Sequence, residues 1–78
     1  MMTVDEFEQK LQTLLKRTPF RPFSIELDDG ERWQVDAKEN VMYLGGPTGV
    51  YFGPDMFMAF LECHNVVRFH ELEVAPTA

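Results

Sequence analysis

Residues 23–35, FSIELDDGERWQV, decide the fold. Phe23, Ile25 and Leu27 alternate with Ser24, Glu26 and Asp28, which is the period of a half-buried strand. Glu31 to Val35 alternates again, with Trp33 and Val35 as its apolar positions. The length of the loop between the two runs sets which faces meet. A two-residue Asp29-Gly30 loop places Trp33 opposite Glu26 and leaves Ile25 and Trp33 on opposite faces. A three-residue loop of Asp28, Asp29 and Gly30 pairs Leu27 with Glu31, Ile25 with Trp33 and Phe23 with Val35. All the large apolar side chains then share one face. That loop is a type I turn closed by a G1 bulge, with Gly30 in the left-handed position. The sequence therefore predicts a hairpin in the three-residue register.

Upstream, Pro19 and Pro22 bar a helix from running into the hairpin. Thr3 to about Arg17 carries Val4, Phe7, Leu11, Leu14 and Leu15 on one helical face, with acids and amides on the other. Thr3 and Glu6 have capping-box spacing, and Lys16 and Arg17 suit the negative end of the helix dipole. Downstream, Asp36 to Asn40 is a polar connection. Val41 to Leu44 predicts a short strand apolar on both faces, and so either central or at an interface. Gly45-Gly46-Pro47-Thr48-Gly49 predicts a turn outside any ladder. Val50 to Phe52 predicts a further strand. Met56 to Leu61 has strand length, although Asp55 would also cap a short helix there; strand is the preferred assignment. Glu62 to Asn65 turns the chain, after which Val67 and Phe69 alternate with Arg68 and His70 as a last strand. The phase reverses at Leu72 and Val74, which predicts a bulge or the end of pairing. Ala75 to Ala78 is expected to fray.

The sum is one mainly β, α+β domain over residues 1–78: a helix at about 3–17, then a β region at about 22–74. It holds about five short antiparallel strands. A short sheet with one apolar face must curl on itself or be covered by the helix. The expected architecture is a small SH3-like or Sm-like barrel preceded by a helix, with a strongly curved open sheet as the alternative.

Composition bounds the function. The 78 residues are 45% hydrophobic and include seven Phe, two Tyr and one Trp, so a core is available and some aromatics must line a surface. That surface predicts a homo-oligomer or an unknown protein partner. Thirteen acidic residues against seven basic ones give a net charge of −6, which disfavours nucleic acid and anionic lipid. Cys63 stands alone, so neither an internal disulfide nor a Cys-pair zinc site is expected. MMTVDEFEQK lacks the pattern of a signal peptide, and the apolar run Met56 to Leu61 is too short to span a membrane. The expectation is a reduced, cytoplasmic protein.

Arg21-Pro22-Phe23, Ile25, Leu27, Asp29-Gly30, Val35 and the terminal Val66-x-Arg68-Phe69-x-x-Leu72 resemble a family of short, uncharacterised bacterial proteins. The family pattern is a helix, an RPFxIxLxDG strand and turn, a His-Pro-Glu segment and a closing strand like HITRIEPL. Ala37-Lys38 stand here before Glu39 in place of His-Pro, and Asn65-Val66 replace the final His-Ile. Any chemistry carried by those histidines is therefore lost in this chain. The resemblance implies no activity and favours a small β-barrel. Arg21, Pro22, Phe23, Asp28, Asp29, Gly30 and Trp33 are accordingly expected to be structural.

Few side chains carry chemistry-bearing patterns. Glu62-Cys63-His64 with His70 and Glu71 is the one cluster of metal-ligand types. Along a strand, however, His64 and His70 would sit about 20 Å apart. Cys63 has no third group to complete a nucleophilic set. The acidic tip Asp28, Asp29 and Glu31 is what turns favour. The Gly45 to Gly49 run has no following Lys or helix to cradle a phosphate. No catalytic residue, metal or cofactor is expected. Among Trp33, Tyr43, Tyr51, Phe52, Phe57 and Phe60, most should fill the core and about two should be exposed. The leading expectation is a non-enzymatic interaction or regulatory accessory module that self-associates through apolar strand surfaces. The alternative is an Sm-like binder of single-stranded nucleic acid, which uses aromatics as stacking platforms.

Overall fold

The computed structural model describes residues 2–71. Its elements run α1 (Val4–Lys16), β1 (Phe23–Leu27), β2 (Arg32–Val35), β3 (Val41–Gly45), β4 (Thr48–Phe52), β5 (Met58–Glu62) and β6 (Val66–Glu71). Single 3-10 turns at Lys38–Asn40 and Cys63–Asn65 lead into β3 and β6. The expected α+β class holds, with six strands rather than five. They form two three-stranded antiparallel sheets, ordered β2-β1-β6 and β3-β4-β5, and among the described residues no hydrogen-bonded ladder closes them into a barrel. The reversal at Leu72 and Val74 and the tail from Ala75 lie outside the described residues.

Helix α1 begins as its sequence directs. The Thr3 hydroxyl accepts from the Glu6 amide while the Glu6 carboxylate accepts from the Thr3 amide, a complete capping box. Phe7, Leu11 and Leu14 are buried, whereas Val4 is exposed and Leu15 lies at the margin of the core. The Phe7 ring lies near Tyr43 of β3 and Phe69 of β6, so the helix bridges the two sheets on one side.

The hairpin takes the three-residue register: Phe23 faces Val35, Ile25 faces Trp33, and the Leu27 amide donates to the Glu31 carbonyl. Gly30 sits at φ +90° and its amide closes the turn onto the Leu27 carbonyl. Phe23, Ile25 and Val35 are fully buried.

Three expectations are corrected. Thr48 and Gly49 belong to the β4 ladder, so the turn after β3 is only Gly46-Pro47. Gly49 is a ladder position because it packs under Leu11; a Cβ there would meet the Met42 carbonyl oxygen at 3.1 Å. In β6 the inward residues are Val66 and Phe69, not Val67 and Phe69. The register shifts between Glu26 and Leu27, so that Leu27 faces Val66 while Glu26 faces Arg68. Val67 is the extra residue of that bulge and is exposed. Finally, residues 56 and 57 precede the strand instead of belonging to it, because Asp55 and Met56 both turn through positive φ. The strand assignment itself stands over Met58–Glu62.

Two further ties join the sheets. The Tyr51 hydroxyl donates to the Gln34 carbonyl oxygen at 2.7 Å, and the Trp33 and Tyr51 rings stack with centroids 4.8 Å apart. On the way into β6, the Cys63 amide donates to the Pro47 carbonyl and the Asp28 amide to the Asn65 carbonyl.

Candidate functional site

Strand parity divides the second sheet into two faces. Val41, Tyr43, Gly49, Tyr51, Ala59 and Leu61 point inward. Met42, Leu44, Val50, Phe52, Met58 and Phe60 therefore point outward. Ladder register then lines them up: Met42 faces Val50 and Val50 faces Phe60, one apolar row across all three strands. Phe52 faces Met58 to form a second, shorter row. Phe60 is 70% exposed, Met58 65%, and Met42 and Leu44 each 54%. A dimple of about 100 Å³ lies among Val50, Met58, Ala59 and Phe60. The charged residue of β3–β5 is Glu62, at the far end of β5. The outer face is thus a contiguous apolar patch of a kind that isolated domains seldom leave open.

The outer face of the first sheet is the opposite in character. Glu26 stands at its centre and accepts a 2.6 Å hydrogen bond from His70, with Arg32 and Arg68 nitrogens each 3.7 Å away. The His70 hydrogen bond and the two guanidinium groups hold the Glu26 carboxyl below its ordinary value. Arg17, the residue after α1, does the same to Glu71 of β6 through a 2.8 Å contact. These carboxylates cancel much of the local positive charge.

A third feature lies where the sheets meet. Trp33, Tyr51 and Phe57 form an aromatic cluster lining a shallow cleft beside Arg32. The stacked faces of Trp33 and Tyr51 cover one another, and Trp33 donates its indole N–H to Glu31. Burial pushes the Tyr51 hydroxyl above its ordinary value.

Of the residues expected to be structural, Phe23, Asp28, Asp29, Gly30 and Trp33 lie in the hairpin. Phe23 is buried against Phe20 and Phe69, Asp29 accepts from the Glu31 amide, Gly30 closes the turn, and Trp33 packs on Tyr51. Asp28 is exposed at the tip, and Arg21 and Pro22 lead into β1. Cys63 is buried, His64 contacts Glu62 and His70 contacts Glu26. The structure does not bring these three side chains together, and among the described residues no trio of His, Cys, Asp or Glu could hold a metal ion. No described helix is long and apolar enough to cross a membrane. Of the six aromatics singled out from the sequence, Phe57 and Phe60 are exposed and Tyr51 is buried. Met42 and Met58 escaped the sequence reading as site residues. Their signal was parity: each shares a face with an apolar residue two positions on, in strands whose other face is also apolar.

No family model matches the chain, and neither a curated protein nor a solved structure does.

Proposed function

We propose that this protein is a non-enzymatic interaction module that self-associates through the apolar outer face of β3, β4 and β5. The row Met42–Val50–Phe60 carries the reading, because it joins exposed apolar side chains in direct ladder register. A second copy fits this face better than a charged partner does. The patch is uncharged at its centre, so two chains of net charge −6 can meet there without like charges in contact. The non-enzymatic part is supported by placement: Cys63 is buried, and His64 and His70 are engaged by different carboxylates. We read the two sheets, bridged by α1 and tied at Tyr51–Gln34, as the halves of a small barrel of the SH3-like or Sm-like kind. A helix followed by short antiparallel strands, the order expected for such a barrel, favours that description.

Light scattering on a concentration series tests the function. The chain should move from monomer toward dimer as concentration rises through the micromolar range. A Met42→Glu, Phe60→Glu variant should stay monomeric with an unchanged far-ultraviolet circular dichroism spectrum. A wild-type chain that remains monomeric throughout removes the proposal.

A second reading is contact with single-stranded nucleic acid at the Trp33, Tyr51 and Phe57 cleft, favoured by the aromatic cluster beside Arg32. Binding of mixed oligonucleotides that weakens with salt would support it, and no binding at low salt would remove it.

A further inference from the structure

We infer that the second copy joins through the edge of β5 that no other described strand pairs with, antiparallel and centred on Phe60, so that two three-stranded sheets become one of six strands. This rests on the self-association proposed above and specifies its geometry.

Proteins blunt exposed sheet edges with charges, prolines or bulges, because a row of unpaired N–H and C=O groups invites another strand. Among the described residues the edges are β2, β3, β5 and β6. Strand β2 carries Arg32, β3 is broken by a register shift between Tyr43 and Gly45, and β6 carries Arg68, His70 and its bulge. Strand β5 has no proline, bulge or basic residue, and its one charge, Glu62, stands at its end. It pairs with β4 from Thr48–Glu62 to Phe52–Met58 without a shift, and Met58 to Leu61 contains neither charge nor proline.

The phase of the ladder shows which groups β5 offers. The Gly53 amide donates to the Phe57 carbonyl and the Cys63 amide to the Pro47 carbonyl, one bond at each end of the β4–β5 ladder. Hydrogen bonding alternates along an antiparallel strand, so residues 59 and 61 also bond inward. Met58, Phe60 and Glu62 then direct their N–H and C=O groups outward. These three positions are symmetric about Phe60. A two-fold axis there pairs Phe60 with Phe60 and Met58 with Glu62 of the second copy, and each such pair exchanges two hydrogen bonds.

Side chains and charge agree with that axis. The row Met42–Val50–Phe60 runs to this edge and would continue into the same row of the second copy. Antiparallel pairing sets the two Glu62 side chains about 14 Å apart along the strands, beyond the screening length of about 8 Å at physiological salt. A parallel arrangement would place them side by side.

Amide hydrogen exchange by NMR on the wild-type chain, at low and high protein concentration and alongside light scattering, tests the geometry. The amides of Met58, Phe60 and Glu62 should gain protection of about tenfold or more as dimer forms. In a Cys63→Ala background, Phe60→Cys should form a disulfide dimer with oxidised glutathione, because directly opposed residues of a hydrogen-bonded pair lie about 5.5 Å apart at Cα. Ala59→Cys should not, since Ala59 would face Leu61 of the second copy. A dimer whose three amides stay unprotected overturns the edge geometry and leaves self-association standing. Protection of β6 amides together with those of β5 in larger oligomers overturns it in favour of a heterologous contact. Protection that is independent of concentration in a monomer overturns it by showing that the edge is already covered within one chain. A strict monomer with unprotected amides overturns both this inference and the proposed self-association.

Discussion

Two glycines separate backbone strain from packing. Gly30 lies at φ +90° with nothing within 4 Å of where a Cβ would stand, so Gly30→Ala meets no neighbour and suffers only from the backbone. That substitution should cost about 1 kcal/mol, seen as a lower urea midpoint with unchanged tryptophan fluorescence. Gly53 is the reverse case: a Cβ would stand 2.9 Å from Tyr51 Cε2 and 3.2 Å from Phe57 Cδ2. Gly53→Ala should displace the Tyr51 ring on which Trp33 stacks, and so shift the emission of the single tryptophan. Glu26 carries a pH dependence. Its carboxyl is held below the ordinary value of 4.5 in the fold, chiefly by the His70 hydrogen bond and also by Arg68 and Arg32. A lowered folded value means that the stabilisation is complete above about 4.5 and is lost as pH falls through the folded value. Urea midpoints measured from about pH 6 down to about pH 3 should therefore decline more steeply in wild type than in Glu26→Gln. Gly30 was legible because few residues other than glycine accept its backbone angle. The Glu26 cluster was not, because it gathers side chains 44 positions apart in the chain, which no local pattern encodes.

At the scale of elements, what could be read were features with local causes. The helix start, the hairpin register and the strand at 58–62 follow from capping, turn length and apolar run length. Of the three corrected expectations, the early start of β5 fails for a local reason, the positive φ of Asp55 and Met56, and the other two fail through tertiary contacts. Gly49 looked like a turn residue, but α1 lies over β4 and Leu11 packs against that position. Val67 matched the alternation with Phe69, but one extra residue against Leu27 turned Val66 inward instead. Neither cause is present within a window of the strand itself. The tie between sheets at Tyr51 is of the same non-local kind, and it can be tested. Tyr51→Phe keeps the ring stacked on Trp33 and removes only the hydroxyl that donates to the Gln34 carbonyl. Because that carbonyl is part-buried, the loss should be about 1 kcal/mol, read as a lower thermal midpoint with the fold preserved.

For the whole molecule, net charge and the two unlike sheet faces make opposite demands. Strands apolar on both faces are legible in the sequence, and they place such a strand either centrally or at an interface. The sequence could not show that β3 and β5 flank β4 in a register that gathers Met42, Val50 and Phe60 into one row. That face favours association, while a charge of −6 on each copy opposes it over long range. Salt separates the two effects. Raising sodium chloride from about 0.01 M to about 1 M shortens the screening length from about 30 Å to about 3 Å, which removes most of the repulsion and leaves apolar contact intact. Dimerisation measured by sedimentation equilibrium should therefore tighten several-fold across that range. Nucleic-acid binding has the opposite sign, because phosphate contacts release counterions and weaken as salt rises. Titrating the same chain with mixed oligonucleotides across the same salt series thus sets the two functional readings against each other. Tightening self-association with no oligonucleotide binding at the lowest salt selects the apolar face of the second sheet as the working surface. Association that weakens with salt would mean instead that ion pairs, drawn from Arg32, Arg68 and the acidic excess, hold the copies together.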